Sequence, residues 1–192
     1  MSVTIDHVRN APVREHPARV VERVATADRT DRTAVAPYVW AVTRIALAWV
    51  FLWAFVDKLF GLGRSTPEAN AWINGGSPTT GFLKGVEGPF GDMFNNLAGA
   101  AWADWLFMIG LAGIGVALLL GIGMRIAAVS GAAMMVLMWM ASLPLANNHV
   151  VDDHVVYALV LVGLALAHAG DTAGLGRWWA RTPLVRRVPA LR

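Results

Sequence analysis

A chain of 192 residues with 56% hydrophobic side chains and a mean hydropathy of +0.51 is too apolar for an ordinary soluble domain of that size. It has no cysteine, which excludes disulfides, thiolate nucleophiles and iron–sulfur ligation by this chain. The net charge of +3 comes from arginines that flank apolar blocks, a pattern of membrane topology and not of nucleic-acid binding.

Residues 1–36 alternate Arg with Asp and Glu, as in Glu22-Arg23, Asp28-Arg29 and Asp31-Arg32. The expectation is a mobile, disordered cytoplasmic tail with at most a transient helix. No apolar stretch lies close enough to Met1 to read as a cleaved signal peptide. A membrane domain over residues 37–170 follows. Its first span runs from Tyr38 to Phe60, where apolar side chains supply about −3 to −7 kcal/mol of insertion free energy. Arg44 opposes this by at most about 3 kcal/mol and is expected to snorkel to the near interface. Asp57 and Lys58 close the span at the other side.

Residues 61–101 form a loop rich in Gly, Pro, Ser, Thr and Asn. A loop so long is functional or disordered. Phe82, Leu83, Phe90, Met93 and Phe94 favour an ordered cover on the outer surface. Further spans are expected at 102–122, 126–143 and 152–168, with a turn at Arg125, a polar connection Asn147-Asn148-His149, and a basic cytoplasmic tail over 171–192. Small residues (Gly110, Gly113, Gly115, Ala128, Ala132, Gly163) suit close helix packing in lipid. The fold class is therefore all-α: an integral membrane four-helix bundle with a long ordered outer loop between its first two helices. The tails, Arg44 and the Arg125 turn hold thirteen of the sixteen Lys and Arg. The positive-inside rule then places both termini in the cytoplasm, in a multi-pass protein of a cell's inner (plasma) membrane.

Polar groups at the span ends are the candidates for chemistry, because keeping them there is costly. Asp57 and Lys58 point about 100° apart on a helix and do not simply pair. They read as interfacial anchors or as a site. Asp152 and Asp153 suit a helix N-terminus without any further role. His154 and His168 share a helix face but lie about 21 Å apart, too far to ligate one haem iron. His168 suits the cytoplasmic helix end, and His154, near Asp153 and Tyr157, is the better hydrogen-bond donor to a ligand. No His-x-x-x-His pair exists, and no metal is expected. Trp49 and Trp53 form an i, i+4 pair that reads as packing or as a platform for an aromatic ligand. Trp40, Trp102, Trp105, Trp178 and Trp179 read as interfacial belt residues.

Three stretches bear a family resemblance: Asp57-Lys58-Leu59-Phe60-Gly61-Leu62-Gly63, Ser77-Pro78-Thr79-Thr80-Gly81-Phe82, and the run from Asn147 to Ala158. With four spans, they resemble the DoxX family over about residues 38–187. The resemblance implies a membrane component of a quinone-linked redox system, since the family includes DoxD-like membrane subunits of thiosulfate:quinone oxidoreductase and relatives linked to thiol handling. A quinone would find Lys58 to stabilise its reduced oxygen, Asp57 or His154 to relay protons, and Trp53, Asp153 and Tyr157 around its ring. No haem, iron–sulfur cluster or metal is expected. Partners would be the lipid bilayer and soluble redox or sulfur-handling enzymes, with homo-oligomers allowed. A scaffold that recruits such enzymes through its charged tails is the alternative function. A small-solute transporter ranks last, because no inverted repeat or interrupted helix pair is visible.

Overall fold

A computed structural model describes the backbone of residues 17–146 and 148–192, and the side chains from residue 34 onward. The chain divides into two units at Ala36/Pro37, and the fold below is that of residues 37–192. Residues 1–16 and Asn147, which the sequence reading placed in the tail and in a polar connection, lie outside the described residues.

The chain is helical, and no strand occurs among the described residues. Helix α1 spans Pro17–Phe60 and therefore includes residues 17–36, where a tail was expected. After it come two 3₁₀ turns (Glu68–Asn70 and Trp72–Asn74), the short helix α2 (Thr80–Lys84), a third 3₁₀ turn (Gly88–Phe90) and α3 (Gly91–Asn95). Helices α4 (Ala101–Leu120), α5 (Met124–Ala141) and α6 (Asp153–Leu166) follow, and α7 (Gly176–Trp179) and α8 (Pro183–Arg187) close the chain.

Three segments are long and apolar enough to cross a membrane: Ala34–Phe60, Ala101–Leu120 and Met124–Ala141. The segment expected as the fourth span is shorter than its apolar run, because α6 holds only 14 residues. Its end is marked by His168, whose left-handed backbone (φ 49°) stops helix propagation.

All four long helices contribute to one core. Leu47, Ala48 and Phe51 of α1 meet Met108, Leu111, Ile114 and Leu118 of α4, Met124, Ala128 and Met135 of α5, and Leu161 and Leu164 of α6. Outward, Val42, Trp49, Leu106, Ile109, Val129, Leu137, Leu159 and Leu166 are exposed. A surface of large aliphatic and aromatic side chains on every helix matches a hydrocarbon environment and not water. Gly115 permits a close approach of α4 to α1, since a Cβ there would lie 2.7 Å from Leu52 Cγ. Gly113, expected to pack likewise, faces open space.

Arg44 does not snorkel. It is fully buried, and its guanidinium donates to the carbonyls of Leu118, Leu119 (2.8 Å) and Ala173 (2.8 Å), with Thr172 at 3.5 Å. The last carbonyls of a helix have no partner within the helix. Arg44 supplies partners to two of them on α4 and to the bend at Thr172-Ala173 after α6, so the planar fork ties three parts of the chain together. Gly121 makes room for it: it turns α4 off at φ 71°, and a Cβ there would lie 2.9 Å from Gly170 and 3.2 Å from Arg44 Nη1. The sequence reading missed this because water lay close enough to make snorkelling equally consistent with the position. Replacing Arg44 by Met should leave those carbonyls unpaired and cost roughly 2–4 kcal/mol. Thermal unfolding in detergent should show a clear loss of stability, and Arg44→Lys should recover only part of it.

Candidate functional site

Asp57 and Lys58 leave α1 in different directions, as adjacent helical residues must. Asp57 is buried at 1% exposure and turns to the loop. One carboxylate oxygen accepts from the Ser65 amide (3.1 Å) and the Ser65 hydroxyl (2.6 Å), and the other from the Arg64 amide (3.3 Å). Gly61, with φ 66°, lets the chain fold back tightly enough for these bonds, since a Cβ there would collide with the Glu68 backbone. The carboxylate thus acts as a cap for the first loop turn, and its lone pairs are largely occupied.

Asp104, in the first turn of α4, does the same further along. Its Oδ1 accepts from Ser77 Oγ (2.8 Å), the Thr79 amide (3.1 Å) and Thr79 Oγ1 (2.6 Å). Trp72 packs edge-on against Trp105, with ring centroids 4.7 Å apart. The Ser77-Pro78-Thr79-Thr80 motif is therefore where the loop is fastened to α4. Asp104 was missed as a structural centre in the sequence. The available signal was a carboxylate within an otherwise apolar helix start, opposite a hydroxyl-rich loop.

Lys58 takes the other direction. It lines a cavity of about 320 Å³ with Asp153, His154 and Tyr157, walled by Phe51, Phe107, Leu111, Met134, Met135 and Met138. A second cavity of about 150 Å³, under Pro78, Thr79, Phe82 and Leu83, shares Lys58, Phe107, Met134 and Met138 with the first. Lys58 stands where the two meet. Among the described residues its ammonium has no hydrogen-bond or ion-pair partner. A cation beside methionine and aromatic walls, without a fixed partner, is available to an incoming acceptor.

His154 is held in place. Its Nδ1 lies 2.7 Å from Asp152 Oδ2 and 3.5 Å from Asp153 Oδ1. Asp152 is also the N-cap of α6, with Oδ1 accepting from the Val155 amide at 3.2 Å. Burial raises the Asp152 pKa, but the hydrogen bonds from His154 and Val155 and the nearby imidazole outweigh it and hold the carboxyl below its usual range. With Nδ1 engaged by a carboxylate, Nε2 is the ring nitrogen left for a ligand. Asp152, Asp153 and His154 also bring one ligand atom each within 4.8 Å of one another, although capping and the imidazole contact already use both Asp152 oxygens.

Of the six residues singled out from sequence, Lys58, Asp153, His154 and Tyr157 thus line one cavity. Asp57 is drawn away into the loop. Trp53 is not among the lining residues: it is exposed and stacks obliquely on Trp49, with centroids 5.8 Å apart.

The apolar helices and their exposed faces define a helical membrane protein. The chain belongs to the DoxX family, whose model (DoxX) matches residues 39–143. That match contains Asp57, Lys58 and the Ser77–Phe82 motif and stops before His154. No curated protein and no solved structure is significantly similar to the chain.

Asp104→Ala and Asp57→Asn should each free the loop, at roughly 1–3 kcal/mol apiece. Limited proteolysis should then cut within residues 62–80 well before the helices. Acid should act separately on α6. The Asp152 pKa is lower folded than unfolded, so its stabilisation is present above the ordinary Asp range near about 3.9 and is lost as pH falls through the folded value. Hydrogen exchange at Val155 should accelerate over that acid range, and Asp152→Asn should flatten the dependence.

Proposed function

We propose that the Lys58 cavity binds the head group of a membrane quinone, and that the protein is the membrane component of a quinone-linked redox system. The observation that carries this reading is the pairing of an unpartnered Lys58 ammonium with a carboxylate-oriented His154 in a methionine- and phenylalanine-walled cavity. A quinone is planar and apolar apart from its two carbonyl oxygens, and it needs hydrogen-bond donors at those oxygens alone. A cavity of about 320 Å³ lies at the lower end of the roughly 300–1,000 Å³ of small-molecule sites.

A quinone held here would supply a two-electron, two-proton acceptor. Lys58 would donate to one carbonyl oxygen and offset negative charge there. His154 would pass protons at the other oxygen one at a time, re-protonated from the outer surface, with Asp152 fixing the orientation of its ring. Tyr157 positions the ring from the same helix, one turn after Asp153. Asp57, expected as a proton relay, serves this reading better as the anchor that holds the loop over Lys58. The two electrons come from a reduced sulfur compound or a partner enzyme. The joining of two thiosulfates to tetrathionate releases that number, and the sulfur must be the donor's because this chain has no cysteine.

The same reading includes four spans, with α6 as a short fourth, and both termini on the cytoplasmic side of a bacterial plasma membrane. A 14-residue helix rises about 21 Å, which the bilayer accommodates by local thinning and flanking polar residues. The arginine distribution supports the orientation.

The test is quinone content after purification in native lipid discs, by solvent extraction and mass spectrometry. The expected result is near-stoichiometric quinone that falls about tenfold in Lys58→Ala/His154→Gln, in line with the loss of charge-assisted hydrogen bonds. Quinone no higher than the lipid background, or unchanged in the double variant, would overturn the reading in favour of a scaffold that recruits soluble enzymes.

A further inference from the structure

At the opposite end of the helices from the Lys58 cavity, α5 and α6 leave a groove of about 640 Å³ between them. Its floor is made of Ala128, Ala132 and Ala165, and Val129 and Leu166 stand exposed along its rims. The alanines are too small to close the space between the two helices, so the trench stays open to the apolar surroundings of the helices. The guanidinium of Arg125 and the imidazole of His168 stand among its lining residues at one end.

Arg125 is exposed and spends one guanidinium donor on the Pro189 carbonyl (3.2 Å), leaving several N–H groups free. Among the described residues it has no carboxylate partner. Asp171, behind the mouth, is paired with Arg192 at 3.1 Å, and the main-chain oxygen of Arg192 accepts from the Arg125 amide at 2.9 Å. His168 holds its ring there from a left-handed backbone, which costs a non-glycine residue some strain. A glycine would end α6 more cheaply but would carry no ring.

We propose that this groove binds an anionic phospholipid, its phosphate held between Arg125 and His168 and one acyl chain lying along Ala128, Ala132 and Ala165. The two halves of the site demand the same molecule. A free phosphate satisfies the Arg125 and His168 donors and leaves the apolar trench unfilled. A neutral lipid fills the trench and leaves the net charge unanswered. Basic pockets between membrane helices at the headgroup level have this chemistry in general. From Arg125 to Ala132 the groove rises about 10 Å along α5, enough for the upper part of an acyl chain. The inference requires that α5 lie in the bilayer and is independent of the quinone reading and of which termini face the cytoplasm.

The experiment is titration of the full chain, delipidated in detergent, with phosphatidylglycerol, phosphatidylcholine and inorganic phosphate, read by native mass spectrometry. Phosphatidylglycerol should bind about tenfold more tightly than phosphatidylcholine, and inorganic phosphate should compete only weakly. Arg125→Gln/His168→Gln should abolish the headgroup preference, and Arg125→Lys should restore part of it in the His168 background. Ala132→Leu keeps both Arg125 and His168 and fills the trench, so it should weaken phosphatidylglycerol even if the double variant fails to fold. Equal binding of the two lipids to the unaltered chain would overturn the site, as would undiminished phosphatidylglycerol binding by Ala132→Leu. Inorganic phosphate binding as tightly as the lipid would reduce it to an anion site without a groove.

Discussion

The guanidinium of Arg44 holds the end of the molecule where α4 stops and the chain returns after α6. A helix that ends in or near hydrocarbon must find partners for its last carbonyls, because water is not freely available to them. Arg44 meets that need from inside α1, so the first helix cannot rotate or slide without unpairing α4. It reaches Ala173 as well, and this fixes the chain reversal that follows His168. The glycines at 121 and 170 are small for the same reason: two backbones and a guanidinium share one volume. The charge that looked like an expense of the first span is thus the joint around which the helices are arranged.

The other end uses the opposite sign of charge for the same purpose. Asp57 and Asp104 each gather amide and hydroxyl donors from the loop, and each sits near the end of an apolar span. A loop of about forty residues could not lie over the helix ends without such anchors, since its backbone donors would be left dry. With the loop fastened, Lys58 is enclosed beside Met134, Met138 and Phe107 and is joined by His154 from α6. The cation that lacks a partner and the anion that has several are neighbours in sequence, and the helical turn alone separates their fates.

The DoxX match gives these arrangements a family frame without fixing a reaction. It covers both loop anchors and Lys58, and it ends at Leu143. The half of the cavity contributed by α6 lies beyond the matched region.

Apolar blocks were enough to read the helical membrane class, because partition into hydrocarbon depends on local composition. The adjacency of Asp57 and Lys58 was also enough to say that they do not pair. Sequence spacing could not say which of the two faces the loop, that Asp104 is a second anchor, or that Arg44 stays inside. Nor could it show that Trp53 turns outward while Tyr157 turns in. Those outcomes depend on which carbonyls and amides come within about 3 Å once the helices pack. The ends of α6 show the division most plainly. Asp152 announced its start as a cap, a local hydrogen bond within a few residues. Its early stop at Leu166 came from the left-handed turn at His168, where the chain bends back toward Gly121 and the long-range contacts around Arg44.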